Sequence, residues 1–124
     1  MKNVQNTLLK MPPEELLAYL SQEFYVPVPM SVESVDELQT AGVLLGRCAA
    51  NYAYLINQAM LAKLIKRSLK QEKAPKSDVD DALSREEIFT MFADVSKTTY
   101  NAISRMITVR AQAAEELKMG KYTT

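Results

Sequence analysis

From Leu38 to Leu69 apolar residues return in alternating steps of three and four: Leu38, Ala41, Leu45, Cys48, Tyr52, Leu55, Ala59, Ala62 and Leu69, broken only at Lys66. That period belongs to a helix pressed along a heptad-like seam, not to a strand. The helix starts between Ser31 and Val35. Ser34 and Glu37 have capping-box spacing, and Ser31, just after Pro29, is an alternative cap. Ala74-Pro75 closes the run, so the predicted helix reaches about Glu72 and spans roughly 55 Å. A second seam follows in Ile88, Phe92, Val95, Thr99, Ala102, Met106, Val109 and Ala113. Its predicted start is Ser84, with Glu87 completing a capping box and Leu83 stapling onto Ile88. Residues 73–83 are then a polar, acidic linker, and Gly120, after Met119, is the predicted terminator.

Two helices of nearly matched length with a short connection pack antiparallel. Charge agrees. Residues 61–76 carry Lys63, Lys66, Arg67, Lys70, Lys73 and Lys76, and residues 77–94 carry Asp78, Asp80, Asp81, Glu86, Glu87 and Asp94, so folding back joins opposite signs. It also brings Arg110, Lys118 and Lys121 toward Glu33, Asp36 and Glu37. Residues 1–30 form a separate amino-terminal section. Pro12 and Pro13 suit a first helical turn, Glu14 and Glu15 favour its positive end, and Leu16, Leu17, Leu20 and Phe24 share one face over about 13–24. Val26-Pro27-Val28-Pro29 leaves the helix as a stiff strap rather than a proline-rich docking ligand. The predicted fold is all-α: a long antiparallel helical hairpin over 31–124 with a short amino-terminal helix, one domain overall.

Between Val43 and Ile56 the first long helix is apolar around most of its circumference, which predicts enclosure on several sides. Gly42, Gly46, Ala49, Ala50 and Ala53 offer another helix close approach. Self-association follows as the expectation, a symmetric dimer or a small ring assembled as a helical bundle.

Catalysis finds little to work with. The chain has no histidine, one cysteine and three glycines, which removes triads, the common zinc sites and phosphate-cradling loops. The acidic pairs stand mostly at helix starts, where acids are expected anyway. No catalytic residue, metal or cofactor is predicted. Fifteen basic and fifteen acidic residues cancel, so no global field draws the chain to nucleic acid or membrane. The most apolar window, Ala41 to Ile65, carries Arg47, Asn51, Gln58 and Lys63 and does not span a membrane. The lone Cys48 and the absence of a signal-like apolar block fit a reducing, cytoplasmic setting.

Lys63, Lys66, Arg67, Lys70 and Lys73 lie on one side of the helix and could follow a phosphate backbone; the competing reading is a solvated face that neutralises the acidic start of the next helix. Arg110 projects from an apolar face, so it pairs with an acid such as Glu37 or receives an external anion. Tyr52 is predicted in the core, Tyr54 and Tyr100 outward, and Met60, Met91 and Met106 as core filler.

The stretch Lys97-Thr98-Thr99-Tyr100-Asn101-Ala102-Ile103-Ser104-Arg105-Met106-Ile107-Thr108-Val109-Arg110 follows a long helix with a basic end and an acidic linker. In that layout residues 35–119 resemble the small helical proteins of tailed-phage early regions, among them recombination mediators. The resemblance implies a ring-forming protein that binds single-stranded DNA and helps load a recombinase, its DNA contacts mapping onto Lys63, Lys66, Arg67 and Lys70. One expectation is therefore a non-catalytic, self-associating accessory protein of phage or prophage recombination or replication. The alternative is a phage-encoded, anti-CRISPR-like inhibitor of a host nuclease or defence complex, its acids Asp78, Asp80, Asp81, Glu86 and Glu87 imitating nucleic acid for a host or phage protein. A purely structural bundle is the third.

Overall fold

The computed structural model describes residues 4–123, and those residues contain helices and no strand. In order they are α1 (Val4–Lys10), α2 (Pro13–Glu23), α3 (Val35–Gln71) and α4 (Lys76–Thr123). The helical hairpin and the short amino-terminal helix are as the periodicity predicts. α1 is an addition: seven residues are too few to show a period, and Leu8 and Leu9 declare themselves only by being buried. α2 begins where the prolines place it. The Pro12 carbonyl accepts the Leu16 N–H at 2.9 Å, Pro13 sits where a missing N–H does no harm, and Glu14 and Glu15 fill the first turn. Phe24 closes the helix by donating to the Leu20 carbonyl at 3.0 Å.

α3 ends in a Schellman turn. Ala74 N–H reaches the Leu69 carbonyl at 2.9 Å and Lys73 N–H the Lys70 carbonyl at 3.2 Å. Lys73 adopts φ 56°, the left-handed conformation that glycine takes without strain. The next helix starts at once. The Pro75 carbonyl accepts the Asp78 and Val79 N–H groups at 3.0 and 3.3 Å, and Asp78 lies in the first turn of α4. The acidic linker expected over 73–83 is thus helix from Lys76 on. Ser84 lies inside α4 instead of capping it, and Leu83 stays partly exposed instead of stapling onto Ile88. An acid at the positive end of a helix accounts for part of the difference: Asp78 reads as loop by propensity but stabilises an amino-terminal turn. At the other end Gly120 does not terminate α4, which continues to Thr123. With 48 residues against 37, the long helices are not matched in length.

The contacts divide into two units, each holding a piece of both long helices. In the first, the amino-terminal helices through Tyr25 pack with Ala50–Val95. Phe89, fully enclosed, sits in one cluster with Leu8, Leu9, Leu16 and Leu20 from α1 and α2, Leu55, Ala59 and Ala62 from α3, and Ala93 beside it on α4. Two long-range hydrogen bonds hold the ends of α2: Arg85 Nε donates to the Met11 carbonyl at 2.8 Å, and Asn51 Nδ2 to the Phe24 carbonyl at 3.4 Å. In the second unit Val26 and Val32 pin the strap against Ala41, Leu44, Cys48 and Ile103.

The α3 seam follows the predicted line, with Leu44 buried where Leu45 is only half-buried. The α4 seam is shifted by one residue. Ala82, Phe89, Ala93, Ser96 and Ile103 are buried, while Ile88, Phe92 and Met106 flank them and Val95 and Val109 are more than half exposed. Both stripes have helical spacing. The stripe that faces inward combines Phe89 and Ile103 with the small residues Ala82, Ala93 and Ser96. Replacing Lys73 by glycine should stabilise the fold by about 0.5–1 kcal/mol, read from urea unfolding, since only the left-handed strain is relieved.

Candidate functional site

Of the five basic residues, Lys66 is committed within the chain. Its Nζ lies 2.7 Å from Glu86 Oε1 and 3.3 Å from Oε2, with both side chains mostly covered. Lys63, Arg67, Lys70 and Lys73 are exposed and in no ion pair among the described residues. The stripe is therefore four solvent-facing cations and one structural lysine. The acidic set divides the same way: Glu86 holds Lys66, and Asp78, Asp80, Asp81 and Glu87 are exposed. Charge joins α3 to α4 in this unit at a single bridge, not along the whole stripe.

In the second unit the start of α3 carries the predicted box. Glu37 N–H donates to Ser34 Oγ at 3.1 Å, and Ser34 N–H donates back to Glu37 Oε1 at 3.0 Å. Ser31 Oγ adds a 3.3 Å bond to the same carboxylate oxygen and accepts the Glu33 N–H at 3.2 Å, so both candidate serines take part. Glu37 is thereby occupied, and Arg110 does not pair with it. Arg110 Nη2 instead donates to the Glu33 carbonyl at 3.1 Å, tying α4 to the strap, while its Nε is covered and makes no hydrogen bond. These two residues lie on a groove of about 820 Å³ between strap residues Met30–Glu33 and the α4 stretch Ala102–Leu117.

The expected self-association residues all face solvent. Within the second unit Gly42, Gly46 and Ala49 are exposed, and within the first Ala53 is; Asn57, Met60 and Leu64, outside the expected set, are exposed as well. A Cβ built on Gly42 or Gly46 would meet nothing within 4 Å, so neither glycine is required by the chain's own packing. The enclosure predicted for Val43–Ile56 is absent from this face, since Val43 is 65% exposed and Ala49, Ala50 and Ala53 are open. The sequence pattern demanded cover that a single chain does not provide.

Three side-chain assignments reverse. Tyr54 is half-buried, stacks on Phe24 with centroids 5.5 Å apart, and accepts a 3.2 Å bond from Gln58 Nε2. Burial, only partly offset by that bond, raises its phenol above the ordinary value. Met60 and Met91, read as core filler, are 61% and 46% exposed. Tyr52 and Met106 are half-buried and Tyr100 is exposed. Cys48 is fully buried, and desolvation raises its thiol although Arg47 opposes the shift. Among the described residues no cluster of acids and thiols could hold a metal ion, and no helix is long and apolar enough to cross a membrane. Comparison of the chain with protein-family models, curated proteins and solved structures found no match in any of the three.

Ser34, through its N–H first and its hydroxyl second, holds the Glu37 carboxyl below its usual value of 4.5. A depressed folded value means the carboxylate favours the native state above about pH 4.5, and that contribution disappears as pH falls through the lower folded value. Urea unfolding followed against pH should therefore show an acid-side loss of stability that is shallower in Glu37→Gln, which keeps an acceptor but cannot titrate.

Proposed function

We propose that this chain is a non-catalytic helical accessory protein that works as a two-fold pair, joined along the open face of α3. The observation that carries the reading is self-complementarity. The exposed positions Gly42, Gly46, Ala49, Ala53, Asn57, Met60 and Leu64 advance in steps of three and four, the seam of a second coiled-coil contact. They are also symmetric about Ala53. In an antiparallel pair centred there, Leu64 of one copy faces Gly42 of the other, Met60 faces Gly46, and Asn57 faces Ala49. The two bulky apolar side chains thus meet the two positions that lack a side chain, which is knobs entering holes under one symmetry operator. The same register sets Lys70 of one copy beside Asp36 of the other. Asn57, the one polar member, would penalise slipped registers.

Light scattering on the full chain should give about twice the 13.9 kDa chain mass. Gly42→Leu with Gly46→Leu should yield a monomer that melts no lower than the parent dilute chain, because nothing within the chain opposes either side chain and leucine is the better helix former. Ala53→Cys in a Cys48→Ser background should oxidise to a covalent dimer. A monomeric parent chain, or a double-leucine variant that remains dimeric, overturns the pair.

A second reading is supported by the four open cations Lys63, Arg67, Lys70 and Lys73: weak binding of single-stranded DNA, as the layout shared with recombination mediators implies. With Lys66 engaged by Glu86, the informative variant is Arg67→Glu with Lys70→Glu. Fluorescence anisotropy with a labelled oligonucleotide should show affinity that falls steeply with salt and vanishes in that variant. Affinity unchanged by the two substitutions removes the DNA reading and leaves the pairing untouched.

A further inference from the structure

The groove between the strap and α4 has a composition that its own fold does not explain. Met30 is wholly exposed, and Val109 and Leu117 are more than half exposed, so the floor and rim are apolar surface left in water. Two guanidiniums, Arg105 and Arg110, stand among these residues, opposed in the lining by the single carboxylate of Glu33. Arg110 is half-buried, its one hydrogen bond among the described residues goes to a neutral carbonyl, its Nε has no acceptor, and no carboxylate lies within ion-pair distance of it. A guanidinium drawn this far out of water ordinarily has an anionic partner. α4 continues past the groove with every residue from Ala111 to Met119 exposed, so nothing in the described chain covers that side.

We propose that this groove docks a segment of a partner protein that carries an acidic side chain flanked by apolar ones. The apolar side chains cover Met30, Met106, Val109 and Leu117, and the carboxylate supplies the counter-charge for Arg110, with Arg105 at the rim. The groove favours a chain segment over a small anion because it is an open trough along Ala102–Leu117, about 22 Å of helix, matching four turns of an amphipathic peptide. This surface lies apart from the open face of α3, so it stands or falls independently of the two-fold pair.

A library of randomised peptides of about sixteen residues, selected against the full chain, tests the assignment. Enriched peptides should combine apolar residues at three- and four-residue spacing with at least one Asp or Glu. Measured singly, they should bind Arg110→Leu about tenfold or more weakly, the loss of a charged hydrogen bond. Leu117→Asp, on a side chain that is 73% exposed, should weaken them comparably without disturbing the fold, which circular dichroism verifies. Gly42→Leu with Gly46→Leu should bind as the parent does. Failure to enrich any peptide, enrichment of neutral or basic sequences, or affinity indifferent to both Arg110→Leu and Leu117→Asp would overturn the proposal. So would a fall in molar mass caused by Leu117→Asp in the absence of peptide, which would make the occupant a second copy.

Discussion

Phe89 is the residue around which the first unit is organised. Its ring is fully enclosed, and every element of that unit contributes to the enclosure: two leucines from each of the amino-terminal helices, and Leu55 with two alanines from α3. A ring of that size on one long helix requires small residues opposite it, and Ala59 and Ala62 meet the requirement. Burying such a side chain contributes about 2–3 kcal/mol before packing is counted. The leucines of α1 and α2 add comparable amounts, which is how two helices of seven and eleven residues persist although neither is long enough to be stable alone. The second unit has no equivalent centre. Its buried apolar residues are valine, alanine, leucine, cysteine and one isoleucine, and strap hydrogen bonds do part of the work that a large aromatic does elsewhere.

How much of this was legible depended on whether the signal was local. The capping box at Ser34 and Glu37, the proline start of α2 and the stop at Ala74-Pro75 are chemistry within a few residues, and each lies where the sequence places it. The start of α4 was missed because two local rules competed. Ser84 with Glu87 has the form of a cap, but the helix starts two turns earlier, after Pro75, with Asp78 in its first turn. The periodicity alone points one position away from the buried α4 face, because Ile88 and Phe92 outweigh Ala82 and Ser96 in size and apolar character. Arg110 was recognised as a residue in need of a partner. Its actual acceptor, a backbone carbonyl in the strap, leaves no trace in side-chain pattern.

The zero net charge conceals a strong internal arrangement. Lys66 and Glu86 neutralise one another across α3 and α4 under partial cover, where an ion pair is less screened than on the open surface. The remaining cations and acids around the connection stay exposed. The surface near that turn is therefore mixed in sign rather than a uniform field, which favours short-range, geometrically specific recognition over long-range attraction. The open face of α3 and the strap groove are the larger unexplained features, and both are apolar.

The two tethers on α2 also order events in time. Met11 and Phe24 leave the ribosome before the groups that hold their carbonyls, which lie 74 and 27 residues further along the chain, at Arg85 and Asn51. Phe89, the centre of the same cluster, comes later still. The amino-terminal segment must wait, partly solvated, until most of the chain has been synthesised before it has anything to fold against. Its leucines, buried in the folded chain, spend that interval exposed. A chain built in this way commits to its first residues last.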